Sequence, residues 1–344
     1  MPAMSVRLEP GAARFSAFLR WIVLAAAIIL VPAPLSAHVP VFVNTNLSLE
    51  TALQVKEPAK SWVYYGELRG GQDARWYRLD LDSGDPMVFE LFVSPDSDPG
   101  FLPKLAVIGP GIAPSGDLPR SFNLQGPPAS VYSGVRCEEP EFEPFTPSRL
   151  FFTLRIDSTA PASGRYYAVV FSERVRGRFG LAIGSSESFT LAEWINIPIA
   201  VVGTYRWEGQ PLALVLLPFG VVVAVGLCLL LFRIRQKRID WGTALGALAG
   251  LTFLGSAALY GTQVLSKIFS ARTTELWAMF VPPAILSVQI LLGIGVIRSA
   301  WKRRPARIAV YGLLGLFSWA GYIVGPAIAL VSSIAVVVRD RSAR

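Results

Sequence analysis

Long apolar runs fill the last third of the chain, and short alternating runs fill its middle. Three long runs have the length of a helix that crosses a bilayer: 209–232, 241–265 and 276–297. A final run from Ile308 to Val337 has an awkward length, because it is long for one crossing and short for two. The segment 321–326, "GYIVGP", favours a run that is broken or re-entrant. The pattern therefore predicts four transmembrane spans in 209–338, the last of uncertain form.

Region 38–208 has a different pattern, with short apolar or alternating segments separated by turns rich in Gly, Pro and Asp. The strand candidates are 76–82, 86–93, 103–109, 149–157, 165–171 and 178–184. Many short strands with such turns predict an all-β sandwich, here jelly-roll-like. Thr190 followed by Glu193 predicts a capping box on one short helical turn over 190–198. The fold class is therefore mixed, an N-terminal β-sandwich followed by an α-helical transmembrane bundle.

The first 37 residues have the three parts of an export signal. Arginines precede the apolar run 21–31, prolines break it, and a small-residue site ends at Ala37. We expect a signal peptide at 1–37, with an uncleaved signal anchor as the open alternative. Either form places residues 38–208 outside the cytoplasm.

Charge supports this arrangement. The chain is 52% hydrophobic and 16% charged, with a mean hydropathy of +0.46, which is typical of a membrane protein. Region 38–208 has 20 acidic and 15 basic residues, so the net charge of +8 arises elsewhere. Segments 233–240 and 298–307 carry four and five bases, and 339–344 is a basic tail. The positive-inside rule makes both segments cytoplasmic loops of a multi-pass protein in a prokaryotic cell membrane. Bases beside apolar spans do not indicate nucleic-acid binding.

A weak family resemblance covers about residues 62–184. Its short motifs are a Gly before an Asp, a Tyr-containing strand, Gly-Asp and Gly-Pro turns, and a late Gly-x-Tyr-Tyr strand. They fall on Asp73, Tyr77, Gly84 with Asp85, Gly109 with Pro110, and Gly164 with Tyr166 and Tyr167. The stretch resembles bacterial pre-peptidase C-terminal domains. The resemblance implies a β-sandwich with a binding or accessory role, and it implies no catalytic residues.

The single histidine, His38, follows the predicted cleavage site directly. Cleavage there would place an α-amine and an imidazole on one residue, and imidazole suits copper. Pro40 lacks an N–H, so further ligands would have to come from the folded domain. Cys137, Met87 or the cluster from Glu138 to Glu143 would have to supply them. The alternative is that His38 only begins the mature chain.

Two further interpretations concern carboxylates. Asp82 and Asp85 flank a turn and are candidate calcium ligands, although Asp also favours turns for its own backbone bonds. The segment after Cys137 is otherwise a surface loop. The sequence requires no cofactor, copper and calcium being the only candidates, and it assigns no catalytic residue.

The first three spans have no charged residue in their interiors, which argues against a proton-coupled transporter. Gln263 and Gln289 are their most polar residues, and we expect interhelical hydrogen bonds from them. The expected function is a membrane-anchored, non-enzymatic binding, sensing or assembly module. An accessory subunit of a membrane transport or enzyme complex and copper handling through His38 are the alternatives. The expected partners are the lipid bilayer and a membrane protein packed on the helices.

Overall fold

A computed structural model describes residues 38–342 except 72, 120–121, 123–127, 174, 237–238 and 272–278. The predicted signal segment 1–37 and the last two residues of the basic tail lie outside the described residues. The described chain forms two compact units, which we treat separately. One comprises the β domain, 38–229, together with 255–282. The other comprises 230–254 and 283–342.

The β domain contains two sheets, which confirms the predicted two-sheet fold. The first sheet has the strand order β1-β3-β11-β5-β9-β8, and the second has the order β2-β4-β10-β6-β7. The strands are β1 Val39–Phe42, β2 Leu53–Gln54, β3 Trp62–Leu68, β4 Ala74–Leu81, β5 Pro86–Val93, β6 Lys104–Ile108, β7 Ala129–Ser133, β8 Glu141–Glu143, β9 Ser148–Thr159, β10 Gly164–Phe171 and β11 Gly177–Ile183. All six predicted strands are present, within three residues at each end.

Alternation along the strands builds the core between the sheets. In β4, Tyr77, Leu79 and Leu81 belong to this core, together with residues from the first sheet such as Leu91 and Leu181. The neighbouring residue Trp76 belongs instead to a separate cluster with residues of β6 and β10. Side chains on a strand point to alternate faces of the sheet, so β4 contributes to the core between the sheets and to the separate cluster on the other face.

Helix α1 spans Leu191–Trp207 and is longer than the predicted turn, because it continues past Pro198 to Trp207. The predicted capping box is present. The Thr190 hydroxyl accepts from the Glu193 N–H, and the Glu193 carboxylate accepts from the Thr190 N–H at 2.7 Å. At the other end, Trp207 packs on Tyr65 and Phe92, and its indole N–H points to the Gly66 and Phe179 carbonyls of the first sheet. Both ends of α1 are therefore fixed to the β domain.

Five further helices follow in the part of the chain that the structure describes. They are α2 Leu212–Arg235, α3 Trp241–Lys267, α4 Val281–Trp301, α5 Pro305–Phe317 and α6 Val324–Ser342. Among the described residues, α2, α3 and α4 are long and apolar enough to cross a membrane, which fits a membrane protein. These three helices coincide with the first three predicted spans, shifted by at most five residues at either end.

Small residues allow α3 and α4 to approach closely in the second unit. A Cβ on Gly250 would lie 2.6 Å from the Gly293 carbonyl oxygen, and a Cβ on Gly246 would lie 2.6 Å from the Ala300 Cβ. Larger side chains at either glycine would separate the helices. The glycine and alanine pattern of 241–260 therefore serves packing within the chain.

The last apolar run forms two helices, α5 and α6, separated at 318–323. They pack antiparallel, since Ser333 donates to the Pro305 carbonyl at 2.9 Å and Gly312 faces Ala329. Gly321 lies in the turn with a φ of 68°, a conformation that suits glycine. The run is thus divided close to the "GYIVGP" segment, and how often it crosses the membrane stays a prediction.

One arginine joins three helix ends of the second unit. Arg303, just after α4, contacts Asp240 before α3 at 2.9 Å and Asp340 near the end of α6 at 2.5 Å. Asp240 also caps α3 by accepting from the Thr243 N–H. The start of α3 and the ends of α4 and α6 therefore lie together.

We expect Ser342→Cys and Lys302→Cys to react from the same side of the membrane, because Arg303 holds the C-terminal ends of α4 and α6 together. Phe269→Cys, beyond the opposite end of α3, should react from the other side. The measurement is labelling by a membrane-impermeant thiol reagent in intact cells and inside-out vesicles, with Cys137 and Cys228 replaced. Labelling of Ser342→Cys together with Phe269→Cys would contradict the antiparallel packing of α5 and α6 as a feature of the membrane-embedded protein.

Candidate functional site

The last two turns of α3 are held by polar contacts from the β domain, all within one compact unit. We call this set the α3 clasp. On α3 and just beyond it, the residues are Tyr260, Gln263, Lys267 and Ser270. From the β domain and α1, they are Pro144, Pro147, Arg149, Tyr205, Glu208 and Gln210.

A buried ion pair lies at the centre of the clasp. The Lys267 ammonium contacts the Glu208 carboxylate, and the two side chains are only 5% and 3% exposed. Lys267 also donates to the Pro147 carbonyl at 2.8 Å and lies over the Tyr205 ring. Glu208 accepts from the Arg149 backbone N–H at 3.2 Å. A buried ion pair is tolerated when further hydrogen bonds satisfy both charges, as they do here.

Two more contacts place the β8–β9 loop and the start of β9 against the end of α3 and the residues that follow it. The Tyr260 hydroxyl donates to the Pro144 carbonyl at 2.9 Å, and the Arg149 guanidinium donates to the Ser270 hydroxyl at 3.2 Å. Phe142 and Phe145, on either side of Pro144, are buried. Part of the acidic segment after Cys137 is therefore packed, and its backbone carbonyl at Pro144 accepts a hydrogen bond from α3.

A pair of amides completes the clasp. Gln210, between α1 and α2, exchanges two hydrogen bonds with Gln263 at 3.0 and 2.9 Å. Gln263 thus forms hydrogen bonds as predicted, but its partner lies in the connection between α1 and α2 and not on another helix. In the second unit, Gln289 of α4 likewise donates to the Ser318 carbonyl at 3.2 Å.

The length of α3 accounts for the polar character of its end. Its 27 residues extend about 40 Å at about 1.5 Å per residue, whereas a bilayer core is about 30 Å thick. About seven residues can therefore lie beyond the hydrocarbon, and the last seven include Thr262, Gln263, Ser266 and Lys267. The clasp forms where α3 no longer needs to be apolar.

Glu143, the last residue of β8, lies beside the clasp. Its carboxylate accepts from the Phe145 N–H at 3.0 Å. Burial raises the pKa of Glu143 to about 7, the charge of Glu187 adds to the rise, and the N–H groups of Phe145 and Thr146 oppose it. Among the described residues, no cation lies within salt-bridge distance of this carboxylate.

His38 begins the described chain beside β3. Its Nδ1 is hydrogen-bonded to the Ser61 hydroxyl, and the neighbouring Val39 N–H donates to the Ser61 carbonyl at 3.0 Å. Burial lowers the pKa of His38 to about 4, so the ring is neutral near pH 7. A neutral imidazole is the form that binds metals. Copper binding by His38 stays a prediction, because no group of three or more such ligands includes it in the described chain.

The other candidate metal ligands are spread over separate segments. Burial raises the pKa of the Cys137 thiol, and Glu138 lies on the loop that follows. Asp82 and Asp85 serve their own turn, where the Asp85 carboxylate accepts from the Asp82 N–H at 2.8 Å. Within the described residues, no group of three or more His, Cys, Asp or Glu side chains is placed to hold a metal. Calcium binding at this turn also stays a prediction.

Sequence reasoning missed Glu208 and Lys267, the centre of the clasp. Each stands at a boundary of an apolar run, where a charged residue is ordinary. The signal that could have found them is the polar end of a span that is too long for the bilayer. Nothing in the sequence pairs that end with residue 208.

We expect Lys267→Met to destabilise the protein by about 3–5 kcal/mol, because it leaves the Glu208 carboxylate buried without its cation. A Glu208→Leu change in the same chain should recover much of that loss, since the two effects are not additive. The matched control is Lys104→Met, whose exposed partner is Glu173 and whose cost should be at most about 1 kcal/mol. Unfolding midpoints in detergent measure all three, and equal losses for both lysines would contradict the central role of the clasp.

The raised pKa of Glu143 predicts a pH-dependent stability. Between about pH 4.5, its ordinary pKa, and about pH 7, the folded carboxyl holds a proton that the unfolded chain releases. The contribution of Glu143 to the unfolding free energy should therefore fall across that window, by on the order of 3 kcal/mol, and stay constant above it. Glu143→Gln should remove this slope, whereas the exposed control Glu67→Gln should keep it. A slope that survives Glu143→Gln would assign the effect to another group.

Comparisons with known proteins add little to this geometry. No protein-family model matches the chain, and no curated protein matches it. One similar solved structure is titled "CorA is a surface-associated copper-binding protein important in Methylomicrobium album BG8 copper acquisition". It shares 11% sequence identity, and the match covers 43% of this chain and 100% of that chain with a TM-score of 0.22. A score this low carries no argument about fold or copper.

Proposed function

We propose that this protein is a multi-pass membrane protein with an extracytoplasmic, non-enzymatic binding or sensing domain. Residues 38–208 form that domain, and the segments 233–240 and 298–307 are cytoplasmic loops by their basic charge. In this proposal the domain binds its ligand or partner outside the cell, and the clasp carries the resulting change to α3.

The α3 clasp is the observation that supports this proposal. For a domain that is only anchored, a flexible linker to the membrane is enough, and contacts between the domain and a span are not needed. Here a buried ion pair, an amide pair and two proline carbonyls join the domain to one span. Groups joined by buried polar contacts move together, so a displacement of the β8–β9 loop reaches α3 directly.

A second candidate function, an accessory subunit, is favoured by α2. This helix is strongly apolar, and its side chains are largely exposed within the chain. Val221 and Val225, for example, are more than half exposed. Lipid covers such a helix in the first proposal, and a partner span covers it in the second.

Coupling is tested by following the domain and α3 separately during denaturation of the full chain in nanodiscs. A fluorophore on Leu265→Cys reports α3, and circular dichroism in the β region reports the domain. We expect coincident transitions in the parent and separated transitions in Lys267→Met, while Lys104→Met should behave as the parent. Separated transitions in the parent would contradict a domain that acts through α3.

The two candidates differ in what the chain carries after mild solubilisation. An accessory subunit should bring a stoichiometric membrane partner that Val225→Trp displaces, because the larger side chain blocks helix packing but remains lipid-compatible. A self-contained sensor should elute without such a partner, and Val225→Trp should not change its mass in detergent. Quantitative mass spectrometry with light scattering measures both outcomes.

A further inference from the structure

Helix α1 has an apolar face that the β domain does not cover. Its first residue, Leu191, is 67% exposed, and Ile199 in its middle is 59% exposed. Ile195 and Val202 are half-buried on the same side, because residues three or four positions apart share one face of a helix. We call Leu191, Ile195, Ile199 and Val202 the outer stripe. The stripe runs along most of this helix, whose 17 residues extend about 25 Å.

The polar residues on this side do not make it a water-facing surface. A surface helix of a soluble domain ordinarily carries polar and charged residues on its exposed face. Two polar residues of α1, a helix that is described throughout, are exposed: Asn196 and Arg206. The Asn196 amide is bonded within the helix, because it donates to the Ala192 carbonyl at 2.8 Å. Arg206 lies in the last turn, where its long side chain can place the charge beyond an apolar layer.

The connection from α1 to α2 brings this surface to the membrane boundary. Four residues, 208–211, separate α1 from the apolar helix α2. The connection is compact, since the Gln210 N–H donates to the Tyr205 carbonyl at 3.1 Å. It also contacts the polar end of α3, through Glu208 and Lys267. In the membrane placement proposed above, the last turn of α1 therefore lies where α2 enters the hydrocarbon and α3 leaves it.

The contacts of α1 and α3 with the β domain involve the same sheet. Helix α1 lies against β1 and β3 of the first sheet, because Gly203 faces the Phe42 ring and Trp207 packs on Tyr65. The end of α3 contacts the β8–β9 loop at the other edge of this sheet, through Lys267. The first sheet is therefore nearer to the bilayer than the second, and α1 lies on its outer face.

The positions of the exposed apolar residues determine which part of α1 meets lipid. A helix that stands upright on the membrane brings only its last turn to the lipid, and the exposed residue of that turn is Arg206. The exposed apolar side chains lie at the start and the middle instead, at Leu191 and Ile199. A helix that lies in the plane of the bilayer brings both to the acyl boundary, where interfacial helices bury their apolar face.

We propose that α1 is an interfacial helix whose outer stripe is buried at the boundary between lipid headgroups and acyl chains. Lipid is the occupant of this surface, and the β domain rests on the membrane through α1. The proposal depends on the membrane placement of α2 given above, and it does not require that the domain be a sensor. It gives the domain a second attachment besides the clasp, which prevents rotation about the end of α3.

Depth-dependent fluorescence quenching of the full chain in nanodiscs tests this surface. A fluorophore is attached to Ile199→Cys, with Cys137 and Cys228 replaced, and the lipids carry a nitroxide either near the headgroup or near the acyl terminus. We expect strong quenching by the shallow nitroxide and protection from iodide in the water. The matched control is Arg165→Cys on β10 of the second sheet, where the native side chain is 57% exposed. That position should be quenched by iodide and by neither nitroxide.

Two further positions separate the possible results. Leu191→Cys should report the same depth as Ile199→Cys, because a helix in the plane of the bilayer keeps both positions at one level. A Leu191→Cys label that only iodide reaches would indicate an upright helix and would overturn the proposal. Val221→Cys, near the middle of α2, should be quenched most by the deep nitroxide.

The label on Val221→Cys distinguishes failure of this proposal from failure of the proposed function. Absence of nitroxide quenching at Val221→Cys would overturn the membrane placement of α2 and the interfacial helix together. Deep quenching there, combined with access of iodide to Ile199→Cys, would overturn the interfacial helix alone. Protection of Ile199→Cys from both iodide and nitroxide would assign the outer stripe to a second copy or another protein, and would also overturn the proposal.

Discussion

The contact between Lys267 and Glu208 is the constraint on which the arrangement of the first unit depends. Both charges are buried, so each needs the other and each needs further partners. Those partners are a proline carbonyl from the β8–β9 loop, a tyrosine ring from α1 and a backbone N–H from the start of β9. The loop and the end of α1 therefore have to be in place before the ion pair is tolerable. A weaker contact would allow the domain to move independently of α3.

The same constraint explains why α1 is fixed at both ends. Glu208 directly follows α1, so its position is set by where the helix ends. Trp207 sets that position by placing its indole in the outer face of the first sheet. At the other end, the Glu193 carboxylate both caps α1 and contacts Lys60 at 2.7 Å. A helix held at only one end would leave Glu208 free to turn away from Lys267.

The fold was largely predictable because its signals are local. Strand alternation and Gly/Pro turns predicted the two-sheet domain, and the Thr190–Glu193 spacing predicted the start of α1. Its end was missed, because Pro198 suggests an early stop and the contact that extends the helix is with distant Tyr65. Five strands of the described chain were not predicted either, namely β1, β2, β3, β7 and β8, and β8 shows a related reason most clearly. Its sequence, "EFE", is short and acidic, and it pairs only with β9.

The clasp could not be predicted because its partners are remote in the chain. Lys267 and Glu208 are 59 residues apart, and Lys267 and Pro147 are 120 apart. The sequence indicates only that α3 is longer than the bilayer core is thick and that it ends in polar residues. It does not identify the partners of those residues. The candidate metal residues drew attention for the opposite reason. His38, Cys137 and Asp82 stood out because their residue types are rare or chemically versatile, yet the structure gives each a different local setting.

Buried polar groups thus have two roles in the first unit. At the clasp, they bond one another around the ion pair of Lys267 and Glu208, which makes a rigid joint between a domain and a span. Next to that joint, the carboxyl of Glu143 is buried and accepts from backbone N–H groups, and burial disfavours its charged form. A rigid joint with an unstable neighbour can respond to a small change in the domain, whereas a uniformly stable joint could not. That combination supports the sensing role proposed above.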